Sequence, residues 1–99
     1  MKQKQTQERS DVLGNDVIAN TSNIGEAVID IKFSHNIAVL STKPGYASAI
    51  STIIDSRKSK EILGSIAGDN NIILIMHEDA THEEVFAQMQ QLFPTLTHL

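Results

Sequence analysis

Cysteine is absent from this 99-residue chain. That excludes disulfide frameworks, zinc–thiolate sites and thiol nucleophiles. It also suits a reducing compartment, so a cytoplasmic protein is expected. Tryptophan is absent as well, and only 4% of residues are aromatic. Hydrophobic residues make up 40% of the total, enough for a small core. No apolar run approaches the roughly 20 residues a membrane span needs. The polar N-terminus does not read as a signal peptide. Positive charge is scarce, with eight basic residues against twelve acidic and a net charge of −4. Modules that grip nucleic acid usually carry a basic stripe against the phosphates. Here the basic residues gather only at Lys2, Lys4 and Arg9 and at Arg57, Lys58 and Lys60. The chain is not expected to bind DNA well by itself.

Catalytic signatures are missing too. There is no H-E-x-x-H, no P-loop, no dinucleotide fingerprint and no G-x-S-x-G. Four histidines occur, His35, His77, His82 and His98. Without a motif to gather them they read as surface residues, so no metal is expected. The paired acids Glu78-Asp79 and Glu83-Glu84 flank the start of a helix, where its dipole favours negative charge. No cofactor and no enzymatic activity are expected.

What is present divides in two. Residues 1–23 are polar and lack a sustained apolar period, which reads as a linker or tail with weak anchors at Val12-Leu13 and Val17-Ile18. The composition changes near Ile24, and residues 24–99 read as one domain. Residues 27–33 alternate, with Ala27, Ile29, Ile31 and Phe33 on one face and Val28, Asp30 and Lys32 on the other. Ser34-His35-Asn36 turns the chain into a second strand over 37–42. Pro44 suits the first position of a helix ending near Arg57. Along it Tyr46, Ile50, Ile53 and Ile54 recur at helical spacing, with Ala47 and Ala49 as close-packing positions.

Residues 61–67 form a third strand and 72–76 a fourth, joined by Gly68-Asp69-Asn70-Asn71. Gly and Asn tolerate the left-handed conformation that hairpin turns often demand. Thr81-His82-Glu83-Glu84 matches a capping box, after which Val85, Phe86, Met89, Leu92 and Phe93 share a face until Pro94. The order ββαββα predicts an α+β fold, a two-layer domain with a four-stranded antiparallel sheet and two helices on one face. Yet Ile72, Ile73, Leu74 and Ile75 are apolar toward both faces, as are Ile37 to Leu40. Two helices cover one face only. The other is covered by a partner copy or by loops and the tail.

Two features suit a small ligand. Lys43-Pro44-Gly45 precedes a helix whose free N–H groups favour an anion. Asp69 sits at a hairpin tip, where a carboxylate can pair with a guanidinium. On its own, Asp69 is more often just a turn residue.

The stretch Glu61-Ile62-Leu63-Gly64-Ser65-Ile66-Ala67-Gly68-Asp69-Asn70-Asn71-Ile72 resembles the I-L-G-T-I-A-G-D-D-T-I signature of the arginine repressor C-terminal domain. Ser41-Thr42-Lys43-Pro44-Gly45-Tyr46-Ala47, followed by Asp55, is similar to the T-x-P-G-x-A and Leu-Asp elements of that family. The resemblance covers residues 27–93. It implies a domain that trimerises through its sheet and stacks as a hexamer, with L-arginine bound between trimers as effector. It implies operator DNA as a partner only through a separate winged-helix domain, which is not expected within these residues. It also implies a ligand set of Asp69, Asn70, Ala67, Ser65, Ser48 and Asp55, with Asp69 toward guanidinium. Asn70 stands where the family has a second Asp, and Ser48 where many members have Gln. Those departures leave open a second reading, a structural assembly module with an altered ligand site.

Overall fold

The alternation of the first two strands makes an antiparallel pair, β1 (Val28–Ser34) and β2 (Ile37–Thr42). A computed structural model describes residues 24–98; the expected linker at 1–23, with its anchors, lies outside the described residues. The hairpin closes over His35 and Asn36, with His35 in the left-handed region at φ 50°. The alternation fails at one place. Register slips between Val28 and Asp30, a β-bulge that lets Val28 and Ile31 both face inward. Ile29, expected inside with Ile31, is instead turned out and 47% exposed.

The next element is α1 (Ala47–Ser56), capped by Tyr46. It begins later than the sequence suggests. Pro44 is not its first residue, because Pro44 and Gly45 form a turn in which Gly45 takes φ +84°. Only glycine holds such a backbone without strain. Ala47, Ile50, Ser51 and Ile54 are buried, whereas Tyr46 and Ala49, expected to pack, are exposed.

β3 (Ile62–Ala67) and β4 (Asn71–Met76) form the second hairpin. It needs no left-handed residue, since Gly68, Asn70 and Asn71 are all at negative φ. The Gly68 amide closes the turn by donating to the Asn71 carbonyl at 2.8 Å. β4 pairs with β2, joining the hairpins into a four-stranded antiparallel sheet. A two-residue strand, β5 (Thr97–His98), adds in parallel to β1 beyond the four strands expected, giving the order β3-β4-β2-β1-β5.

α2 (His82–Leu92) opens with the expected capping box. Thr81 Oγ1 accepts from the Glu84 amide at 3.0 Å, and Glu84 Oε1 accepts from the Thr81 amide at 2.9 Å. Val85 and Met89 join one core with Ile50 and Ile54 of α1 and Ile31, Ala38, Leu40, Ile72, Leu74 and Met76 of the sheet. Both helices therefore lie on the same face. Burying an aliphatic chain of this size contributes about 1.5–3 kcal/mol, so the aliphatic core dominates the fold's cohesion.

The opposite face keeps its apolar side chains. Ile66, Ile73 and Val39 stand side by side across β3, β4 and β2. Ile66 is 64% exposed, Ile73 37% and Ile37 39%. A contiguous apolar face of this kind marks a surface suited to a partner.

Candidate functional site

β3 is an edge strand, and α1 runs beside it. Two ties align them. At one end the Gly45 amide donates to the Asp69 carbonyl at 3.0 Å and the Thr42 amide to the Asn70 carbonyl at 2.9 Å. Further along, Ser65 Oγ donates to Asp55 Oδ1 at 2.9 Å. The spacings agree. From Ala47 to Asp55 a helix advances about 12 Å, and from Ser65 to Asp69 a strand advances about 13 Å. The hairpin tip thus sits against the start of α1, and the middle of β3 against its end.

The six expected ligand residues fall along this edge in two groups. Asp55 and Ser65 touch directly. Asp69 and Asn70 lie at the tip, exposed, the Asp69 carbonyl fastened to Gly45 in the turn before α1 and the Asn70 carbonyl to Thr42 at the end of β2. Their side chains stay outside those bonds, so the loop is held by its main chain while its polar groups face solvent. Ala67 lies between the groups and is exposed. Ser48 is exposed near the start of α1, where its carbonyl accepts from Thr52 Oγ1 at 3.1 Å. No direct contact joins the Asp55 group to the Asp69 group within the described residues.

A residue that sequence reasoning misses lies at the junction. Ser51 Oγ is 2.6 Å from Ser65 Oγ, and Ser51 is buried. A signal for it exists in the chain. Ser51 and Asp55 are four apart, hence on one helical face, and Ser51 is polar amid Ala47, Ile50 and Ile54.

Beyond this junction an open depression of about 400 Å³ is lined by Asp55, Lys58, Ser59, Leu63 and Ser65, among others. It reaches the Asp55 group but not the tip. A second depression of about 380 Å³ lies between Lys60, Glu61, His77, Asp79 and Glu84, with no residue of the expected set. Its Glu61 is the group whose environment acts most clearly on protonation. Gln88 Nε2 donates to Glu61 Oε1 at 2.8 Å and Ser59 Oγ at 2.9 Å. These bonds, Gln88 first, hold the carboxyl below its usual value of 4.5.

Among the described residues no cluster of three or more His, Asp or Glu is placed to hold a metal. His77 and His82 point to different tasks. His77 Nδ1 accepts from the Asp79 amide at 3.1 Å, whereas His82 stacks on Phe33 with ring centroids 4.6 Å apart and bonds the His35 carbonyl. No helix among the described residues is long and apolar enough to cross a membrane.

The arrangement offers acidic and hydroxyl groups along a sheet edge, near the basic Lys43 and Lys58. Such a row suits a ligand with a cationic end. Residues 24–91 match the family model described as arginine repressor, C-terminal domain. An arginine repressor of Bacteroides fragilis is 46% identical over 68 residues, covering 69% of this chain and 43% of the relative. One from Phocaeicola vulgatus is 44% identical over 68 residues, with the same coverage of 69% and 43%. A more distant one, from Halothermothrix orenii, is 35% identical over 65 residues, covering 66% of this chain and 43% of the relative. The chain spans less than half the length of the curated relatives it matches.

Proposed function

The chain belongs to the arginine repressor C-terminal domain family, and from that premise we propose that residues 24–99 form the effector-sensing and self-assembly unit of an arginine-responsive transcriptional regulator. The effector is L-arginine, and the unit is a regulator, not an enzyme. It acts in the cytoplasm and reaches operator DNA through a separate domain. The observation that carries this reading is the tip of the second hairpin. The backbone carbonyls of Asp69 and Asn70 are fixed by the Gly45 and Thr42 amides, which leaves the Asp69 carboxylate exposed. A preorganised acceptor loses little freedom on binding a guanidinium.

Asp69 pairs with the guanidinium, and Asn70, Ala67, Ser65, Ser48 and Asp55 complete the set along the edge. Five of the six, all but Ser65, are exposed along one edge, which suits a ligand held between copies. The apolar face of Ile37, Val39, Ile66 and Ile73 is the surface through which copies form a trimer, and trimers pair as a hexamer. Several attached DNA readers would then act at high effective concentration.

Calorimetry with L-arginine tests this reading. Wild type releases or absorbs heat with a saturable isotherm, and Asp69→Ala weakens the affinity by tenfold or more, about the value of a charge-assisted bond. A wild type that gives no heat at millimolar arginine removes arginine as effector.

Asn70 and Ser48 favour a second reading, an assembly module whose ligand site has altered. An ionic hydrogen bond is worth about 1.5–3 kcal/mol against about 1 for a neutral one, so Asn70 weakens any cationic pairing. Sedimentation with and without arginine separates the readings. An oligomer indifferent to arginine supports assembly alone.

A further inference from the structure

We propose that Ser51 is a positioning residue for the ligand site, acting through Ser65 to commit Asp55 to a cationic nitrogen. The inference rests on the reading that Asp55 and Ser65 contact L-arginine. It starts from proton counting. A serine hydroxyl has one proton to give. Ser65 Oγ gives its proton to Asp55 Oδ1 over 2.9 Å. The contact of 2.6 Å between Ser65 Oγ and Ser51 Oγ therefore has one direction, with Ser51 donating. The result is a directed chain from Ser51 through Ser65 to Asp55.

Three properties make this chain more than a helix decoration. Ser51 is only 8% exposed, so water does not compete for its hydroxyl. A helical serine ordinarily turns back to the carbonyl one turn earlier, and Ser51 instead crosses to β3. The far end of the chain is exposed, because Asp55 lies at the surface. One carboxylate oxygen is thus fastened from the protein side, and Oδ2 remains as an acceptor.

The chain also sets which chemical class fits. With its proton spent, Ser65 has nothing to donate to a ligand carboxylate or carbonyl. Asp55 Oδ2 can only accept. The junction takes an N–H donor carrying positive charge, an ammonium or a guanidinium, and rejects an anionic group. Chains of hydrogen bonds also reinforce one another, so the Ser51 donation strengthens the Ser65 bond to Asp55.

Calorimetry on the full chain with L-arginine, applied to Ser51→Ala, Ser51→Thr, Ser65→Ala and the double variant S51A/S65A, tests the inference. S51A binds about three- to tenfold more weakly than wild type, the scale of one hydrogen bond. Threonine keeps a hydroxyl, so S51T stays within about twofold of wild type. In the Ser65→Ala background, adding Ser51→Ala causes no further loss. An unchanged S51A, or an equal loss with and without Ser65, overturns the positioning role. If S51T fails to fold, the coupling between Ser51 and Ser65 still decides. The ligand-free protein supplies an independent readout. Ser51 shows a slowly exchanging hydroxyl proton by NMR that disappears in S65A, and its absence in wild type overturns the directed chain. Wild type that ignores arginine while showing this proton overturns the arginine reading and the ligand role of Ser51, but leaves the chain standing.

Discussion

The amide of Gly45 donates to the carbonyl of Asp69 over 3.0 Å, tying the tip of the second hairpin to the turn that starts α1. Gly45 reaches that carbonyl only because it holds φ +84°. The family motif that places Pro-Gly before the helix and Gly-Asp at the hairpin tip thus describes two halves of one junction.

Gly45→Ala is the direct probe of that junction. A Cβ at this position meets no atom within 4 Å, so the penalty is one of backbone conformation alone. A left-handed alanine costs about 1–2 kcal/mol. For a domain of this size each kcal/mol lowers Tm by roughly 4–8 °C. Gly45→Asn is expected to lie between wild type and alanine, because asparagine tolerates this region better. Arginine affinity falls along the same series if the junction presents Asp69. Thermal melts and calorimetry on the three proteins check both trends, and an alanine variant with an unchanged Tm contradicts the argument.

Ile73 probes the open face of the sheet. It stands between Val39 and Ile66 and is 37% exposed, so a charge there harms the monomer little. In an assembly through this face the same charge is buried without a partner, a penalty of about 3–5 kcal/mol. Ile73→Asp should therefore weaken self-association by more than about 100-fold while circular dichroism stays that of wild type. Leu74→Asp, one residue along and fully buried, should unfold the domain. Sedimentation velocity measures the association directly, and an Ile73→Asp protein that associates like wild type places the interface elsewhere.

Much of this is readable in the chain. The strands at 37–42 and 72–76 are legible as short apolar runs, but the side each turns to the helices is not, because Ile37 to Leu40 and Ile72 to Ile75 are apolar toward both faces. The first strand misleads at Ile29. A bulge adds one residue to one strand, and its position depends on pairing with Ser41 and Thr42, which no local pattern reveals. The helix start is misplaced for a related reason. Pro44 is compatible with the first turn of a helix, but the Gly45 bond to Asp69 keeps the chain turning for two more residues. Asp55 and Ser65 are expected on resemblance, and their contact is not visible by spacing. Ser51 is visible in principle, as a polar residue on an apolar helical face four before Asp55. β5 is invisible, since two residues carry no period.

Thr81→Ala tests how much the second helix depends on its cap. Thr81 Oγ1 and the Glu84 carboxylate satisfy each other's amides at 3.0 Å and 2.9 Å. Loss of the threonine oxygen costs about 1 kcal/mol, within a range of roughly 0.5–2. Thr81→Ser keeps an acceptor at the same place and should sit close to wild type. Urea unfolding of the three proteins resolves differences of this size. Equal midpoints for alanine and serine would assign the helix start to tertiary packing instead.

Glu61 gives a pH dependence with a definite sign. Its carboxyl is held below its usual 4.5, first by the Gln88 side chain and then by Ser59. A carboxyl depressed on folding contributes stability that is complete above the unfolded value and is lost as pH falls through the lower folded value. From neutrality down to about pH 5 the contribution of this group is flat, and below that it declines. Gln88→Leu removes the largest cause, so the acid slope should flatten. The same substitution deletes Gln88 Oε1, a buried oxygen with no hydrogen-bond partner. An orphaned acceptor is a standing penalty at every pH. At about pH 7 the variant loses the donor to an ionised Glu61 and should be less stable than wild type. Once the pH is low enough to protonate Glu61 in the folded protein, the carboxyl no longer needs that donor, and the deleted orphan leaves the variant level with wild type or above it. Urea unfolding of both proteins across this range should show the gap closing as pH falls. Parallel profiles would mean that Gln88 does not set the Glu61 charge.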